Sequence, residues 1–385
     1  MRPTRAVACT LAALALAGCV QPSETTGFAS RSKVHHPEAL FDVAYRSDKL
    51  RGLDTRKHSS KRPIDAAKGA AICPRASDLK PYDQLMAQSI AAMRGPSPVE
   101  YSKLPRQFSH ELTISAYRTL MDLDMTRSRR DIDALRAHAT ANAWIPAGPS
   151  DKAASAAIEA LGAVLPAWLI LRQTTAATDD DRAAIDGWLV RVQQFTDSHP
   201  GGNSIGTQRG TNEMLIGLIT GNDALYQKGL QEGFYGPLQG MRADGSFPLE
   251  TDRGRKALEN SGRNISLVIY AAQIARSQGA DLYTTKVDGK GIDDAVSFLL
   301  RADADNALVD GYAKANRNPG LGFGTFAPNA QVTPFAGYSR GWIMLYAERF
   351  PKSELTAELE SKIPVGNRVF SDTTGGSVSC YAIRL

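Results

Sequence analysis

The chain of 385 residues is short of several things, and each shortage narrows what it does. It has four cysteines and six histidines. Neither Cys73 nor Cys380 sits in a C-x-x-C pattern, and the histidines (His35, His36, His58, His110, His138, His199) are scattered without ligand spacing. No metal site is therefore indicated, and no cofactor is expected. Alternating apolar and polar runs are scarce, which leaves little material for half-buried strands. Charge of one sign is not in marked excess, at +5 overall, and no nucleic-acid partner is expected. No sharp linker divides the chain beyond residue 82, so one domain over residues 82–351 is the economical reading, with residues 352–385 as a C-terminal extension.

The N-terminus is more informative. Met1-Arg2-Pro3-Thr4-Arg5 is a charged lead, and the apolar run of residues 6–17 is too short to span a bilayer as a stable helix. Residues 1–18 read as a signal peptide, and Leu16-Ala17-Gly18-Cys19 resembles the lipobox of bacterial lipoproteins, in which the Cys19 thiol takes the lipid. Val20 in place of Asp after that cysteine resembles outer-membrane sorting. The expectation is a lipid-anchored envelope protein of the periplasm, with residues 19–81 as a flexible tether. Cys9 leaves with the signal, so Cys73 and Cys380 remain as a candidate disulfide in an oxidising compartment.

Beyond residue 82 apolar side chains recur at helical spacing: Ile185, Trp188, Leu189, Val192 and Phe195; Ile158, Leu161, Leu165 and Leu169; Leu258, Ile265, Val268 and Ile269. Helices of roughly 12 to 18 residues joined by Gly, Pro, Asn and Asp predict an all-α fold of stacked antiparallel helix pairs. Periodicity alone does not separate a solenoid from a toroid.

Three polar stretches exceed what a helical core needs: N-S-I-G-T-Q-R-G-T-N at residues 203–212, A-D-G-S-F-P-L-E-T-D-R-G-R-K-A-L-E-N at residues 243–260, and residues 316–322. The second resembles the alginate lyase family, the poly(mannuronate) lyases, whose corresponding segment runs A-D-G-x-L-P-L-E-x-x-R-G-x-R-A-L-x-Y-H. Residues 181–189 and 342–351 look like the family's helices on either side. The resemblance covers about residues 85–351. It implies an incomplete (α/α) toroid and a cleft for an acidic, uronate-containing polysaccharide. It also implies β-elimination, in which the C5 proton beside the uronate carboxylate is removed and the C4–O bond breaks.

Position by position, Arg253 falls on the family's arginine, whose permanently charged fork suits a carboxylate. The family's Asn-Asn-His-x-x-Trp-x-Gly falls on residues 203–210, so its histidine position is Ile205, and the later tyrosine and histidine positions are Asn260 and Ser261. An isoleucine moves no proton. The expected catalytic residues are Arg253 and His199, an imidazole four residues before Asn203; the expected sugar-binding residues are Asn203, Arg209, Asn212, Asn260 and Asn264. Each has a plainer alternative. Arg253 pairs with Asp252 or Glu250, Arg209 pairs with Glu213, Asn203 makes a turn, and His199 caps a loop before Pro200. The reading is a lyase-like protein acting on the acidic polymer, or a glycan-binding or polysaccharide-assembly protein that keeps the fold without cutting.

Overall fold

The apolar periodicities become helices because each has a face to bury. In this computed structural model the described residues are 41–52, 73–92, 98–148, 150–198, 201–317, 326–335, 340–362 and 369–382. Helix α1 (Val43–Gly52) precedes α2 (Asp83–Ala92), α3 (Pro98–Asp122) and α4 (Met125–Thr140). Then come α5 (Asp151–Leu171), α6 (Asp179–Thr196), α7 (Ser204–Thr220) and α8 (Asp223–Leu230). Two short helices, α9 (Gly236–Gly240) and α10 (Pro248–Thr251), lead to α11 (Ala257–Ser277). The remainder is α12 (Ile292–Ala304), α13 (Ala307–Ala313), α14 (Gly341–Arg349), α15 (Glu354–Ser361) and α16 (Val378–Ala382).

The order of packing is that of an incomplete (α/α) toroid. Helices α3, α5, α7, α11 and α14 lie against one another in turn, and α4, α6, α8, α12 and α15 back them as outer partners. Helix α5 shows why. It is rich in Ala and Leu, apolar and long enough to cross a membrane by composition, yet it is buried along almost its whole length between α3 and α7. A helix apolar all round belongs in a core. Helix α6 is amphipathic, and Ile185, Trp188, Leu189 and Val192 are all buried on its inner face. Thr178 caps it by accepting from Asp181 N at 3.2 Å, while Arg129 and Arg136 hold the Asp181 carboxylate at 2.6 and 2.8 Å. Those contacts hold the Asp181 carboxyl well below the usual carboxylate range, the Arg129 bond contributing most.

The two ends of the chain depart from expectation. Residues 41–52, expected within a flexible tether, contain α1, which packs on α3. Cys73 is bonded to Cys380 across a separation of 307 residues. Residues 370–382 are not an appended tail either. The antiparallel pair β1 (Phe370–Ser371) and β2 (Gly376–Ser377) lies on α3, and α16 lies on α14, so this hairpin spans the first and last inner helices. The burial of Val378, Cys380 and Tyr381 explains the difference: these side chains of the segment enter the core. Residues 1–40, which hold the expected signal peptide and the expected lipidation site at Cys19, lie outside the described residues.

Candidate active site

The first two polar stretches meet, while residues 318–322 of the third lie outside the described residues. Helix α7 starts at Ser204, with Asn203 as its cap: Asn203 Oδ1 accepts from Ile205 N at 2.9 Å. Ahead of it Gly202 takes a φ of +130°, a backbone setting only glycine occupies without strain. The second stretch folds as α10, opened by Pro248 and carrying Glu250. Glu250 is fully buried and accepts a short hydrogen bond from Ser204 N, so its carboxylate closes the positive end of α7. Glu250 Oε2 also takes Arg253 Nη1 at 3.3 Å. Burial pushes the Glu250 carboxyl above its ordinary range, opposed by Arg253 and by the Ser204 N–H.

Between these segments lies a cavity of about 390 Å³ whose polar lining includes Asn203, Thr207, Arg209, Glu232, Glu250 and Asn264. Thr207 Oγ1 donates to Asn264 Oδ1 at 2.7 Å, which ties α7 to α11 across the floor. Glu232 comes from a π-helical turn (Gln231–Tyr235) after α8, and such turns often mark functional positions. Its carboxylate reaches Arg209 because α7 lies flush against that turn. A Cβ on Gly210 would stand 2.3 Å from Gly233 N, so only glycine permits the approach. Arg209 donates to Glu232 Oε2 through Nε at 3.0 Å and Nη2 at 2.8 Å, with Glu213 3.9 Å away.

The sequence-predicted residues separate accordingly. Asn203, Arg209 and Asn264 line the cavity together. Arg253 stands beside it, 12% exposed and paired with Glu250, one of the two arrangements its neighbours allowed. Asn260 is turned onto its own helix, donating Nδ2 to Lys256 O at 2.8 Å. Asn212 needs correction. Three residues after Arg209, it was expected to share the cleft face, yet it is fully buried and donates Nδ2 to Ile158 O on α5 at 2.9 Å. Its helical phase puts it between two inner helices. His199 lies outside the described residues. At the positions of the family's proton carriers, Ile205 is half-buried and Ser261 Oγ bonds Ala257 O at 2.8 Å.

Sequence reasoning missed Glu232, Thr207, Gln208 and Arg263. Arg263 Nη2 donates to Gln208 Oε1 at 2.7 Å and to Glu159 Oε1 at 2.9 Å, and it joins α11, α7 and α5. Nothing in a helical pattern marks Glu232. Glu250, by contrast, stood in plain view in the P-L-E of the quoted segment.

Among the described residues no group of His, Cys, Asp and Glu is placed to hold a metal ion.

Comparison with known proteins agrees with this architecture. The alginate lyase family model matches residues 139–308. A curated Stenotrophomonas maltophilia protein named polysaccharide lyase is 27% identical over 148 residues, 37% of this chain and 44% of that protein, so the match spans less than half of the relative. Among solved structures, alginate lyase A1-III complexed with tetrasaccharide superposes with a TM-score of 0.71 at 22% identity, over 92% of this chain and 98% of that one. The crystal structure of alginate lyase A1-III from Sphingomonas species A1 gives 0.69 at 22% identity over 92% and 98%. An alginate lyase from Bacteroides ovatus gives 0.54 at 15% identity over 89% and 96%. At these identities the superpositions speak for the fold.

Proposed function

We infer, from this chain's similarity to the alginate lyase family, that it is an envelope lipoprotein acting on a uronate-containing polysaccharide by β-elimination. The supporting observation is where the cavity lies. The two segments that carry the family resemblance meet there, and they put a guanidinium (Arg209) and two amides (Asn203, Asn264) around about 390 Å³. Hydrogen-bond donors of this kind suit a sugar acid: Arg binds a carboxylate through parallel N–H bonds, and side-chain amides satisfy ring hydroxyls. In the elimination, charge builds on the uronate carboxylate as the C5 proton leaves. A cation held in a partly dry site stabilises that charge better than one in water.

Incubation of the mature protein with polymannuronate, polyglucuronate and mixed acidic exopolysaccharides is expected to raise ultraviolet absorbance from unsaturated ends. Silence with all three overturns the lyase reading. Lipidation at Cys19 predicts incorporation of labelled palmitate that disappears in Cys19→Ser; label retained by that variant refutes the anchor.

A second reading has its own observation. With Ile205 and Asn260 where the family carries a histidine and a tyrosine, the cleft is suited to binding the polymer without cutting it. Salt-sensitive binding of acidic oligosaccharides with no turnover identifies that case.

A further inference from the structure

The elimination needs a group that takes a proton from C5, and the family's position for it is an isoleucine. Two histidines lie among the described residues. His138 is fully buried, its Nδ1 against Ala134 O at 2.8 Å and its Nε2 against Ser89 Oγ at 3.1 Å, and it stacks on Phe108. It is a core residue. His110 is different. It projects from α3 into a second cavity, of about 430 Å³, whose lining also includes Lys80, Lys103, Arg106, Glu111 and Asp372. Asp372, on the turn between β1 and β2, sets Oδ1 3.4 Å from His110 Nδ1, and the Phe370 ring meets the imidazole edge to face with centroids 4.5 Å apart. The imidazole is therefore held by a carboxylate and an aromatic ring, yet its side chain remains 29% exposed.

A chain of charged and polar side chains leads from this second cavity toward the first. Arg106 Nη1 lies 3.6 Å from Glu159 Oε2, and Glu159 Oε1 accepts from Arg263. Arg263 holds Gln208, whose chain neighbour Thr207 lines the first cavity. A Cβ placed on Gly162 would be 2.3 Å from Gln208 Nε2 and 3.3 Å from the Asp372 carbonyl, so Gln208 and the Asp372 loop both close on that one glycine.

We propose that His110, oriented by Asp372, is the proton carrier of the elimination, and that Lys103 and Arg106 bind uronate carboxylates beside it. The proposal rests on the lyase reading. A carboxylate facing Nδ1 favours the tautomer with the proton on that nitrogen, leaving Nε2 basic. Nε2 takes the C5 proton; the electron pair of the C5–H bond becomes the C4=C5 double bond; the C4–O bond breaks and its pair stays on the leaving oxygen. The imidazolium returns the proton to that oxygen, so a uronate chain becomes an unsaturated end and a free 4-hydroxyl with no water consumed. Asp372 is a positioning residue that also stabilises the imidazolium. The charged groups facing the imidazole are Asp372, Glu111, Lys80, Lys103 and Arg106.

The test uses the mature protein with the same three polymers, followed by ultraviolet absorbance. His110→Gln is expected to lower kcat by about 100-fold or more while acidic oligosaccharides still bind, the usual contribution of general acid–base catalysis. Asp372→Asn is expected to lower kcat while KM and oligosaccharide binding stay unchanged, a split that a merely structural role for Asp372 would not give. Should the wild type turn over and His110→Gln match it, the proposal falls and the lyase reading stands. If the wild type binds oligosaccharides but cuts none of the polymers, both fall. The wild-type profile serves even if a variant misfolds: a kcat/KM flat between about pH 5 and 8, where an imidazole base changes charge, overturns the proposal.

Discussion

Arg253 and Glu250 are expected to behave as one structural unit, and a double-mutant cycle measures it. The Glu250 side chain is 1% exposed, the Arg253 side chain 12%, and they are 3.3 Å apart. At an effective dielectric of 20, charges at that separation attract by about 5 kcal/mol before desolvation is subtracted. Desolvation removes much of it, and contacting charged residues couple net by about 1 to 3 kcal/mol. Glu250→Ala alone also strips the acceptor from Ser204 N at the start of α7, a buried donor whose loss adds about 1 to 3 kcal/mol. The expected cost of Glu250→Ala is therefore about 3 to 5 kcal/mol, with Arg253→Ala adding less than about 1 kcal/mol on top of it. Urea denaturation of the four proteins, read as midpoint shifts at constant slope, gives the coupling. Strict additivity, with coupling below about 0.5 kcal/mol, refutes the reasoning and returns Arg253 to the role of a group kept for substrate.

Two further outcomes follow from the core. Burial pushes His138 down to about 4, so between about pH 6.5 and 4 the unfolded chain binds a proton that the folded one does not. Its contribution is complete above about pH 6.5 and is lost as pH falls, by about 3 kcal/mol at most, whereas burial raises Asp131 to about 6 and acts in the opposite sense; the difference between wild type and His138→Gln across that range isolates the histidine, and identical pH dependence refutes it. Reduction of the Cys73–Cys380 bond is expected to cost about 2 to 5 kcal/mol, read as a lower urea midpoint, and an unchanged midpoint contradicts any restraining role for the hairpin's attachment.

What the sequence disclosed depended on the range of the interaction concerned. Helix α6 was legible because Thr178, Asp181 and the buried stripe from Ile185 to Val192 are local, a cap followed by a 3.6-residue period. The meeting of residues 203–212 with residues 243–260 came from the family resemblance, and the contact itself, Glu250 on Ser204 N, joins positions 46 apart. Asn212 shows the limit. Its spacing from Arg209 is right for a shared face, but helix α7 is buried on nearly all sides, so spacing does not tell the cleft from α5. The pairing of His110 with Asp372 spans 262 residues, and no local pattern points to it.

The electrostatics of the mouth constrain how a polyanion enters. Arg209 is already held by Glu232, Arg253 by Glu250, Arg263 by Glu159, and Arg106 lies close to the same Glu159. A uronate carboxylate that takes a guanidinium must share it with a resident carboxylate or displace that group. Displacement is cheapest where the resident is most exposed. Glu232 is 28% exposed and Glu159 18%, whereas Glu250 is 1% exposed and occupied by the α7 N-terminus. The polymer is thus expected to compete for Arg209 and Arg106 and to leave the Arg253–Glu250 pair intact. In the lyase family an arginine at the Arg253 position sits in the motif as a carboxylate reader. Here Arg253 is paired with the buried Glu250, and on the polyuronate reading the arginines on either side meet the substrate charge.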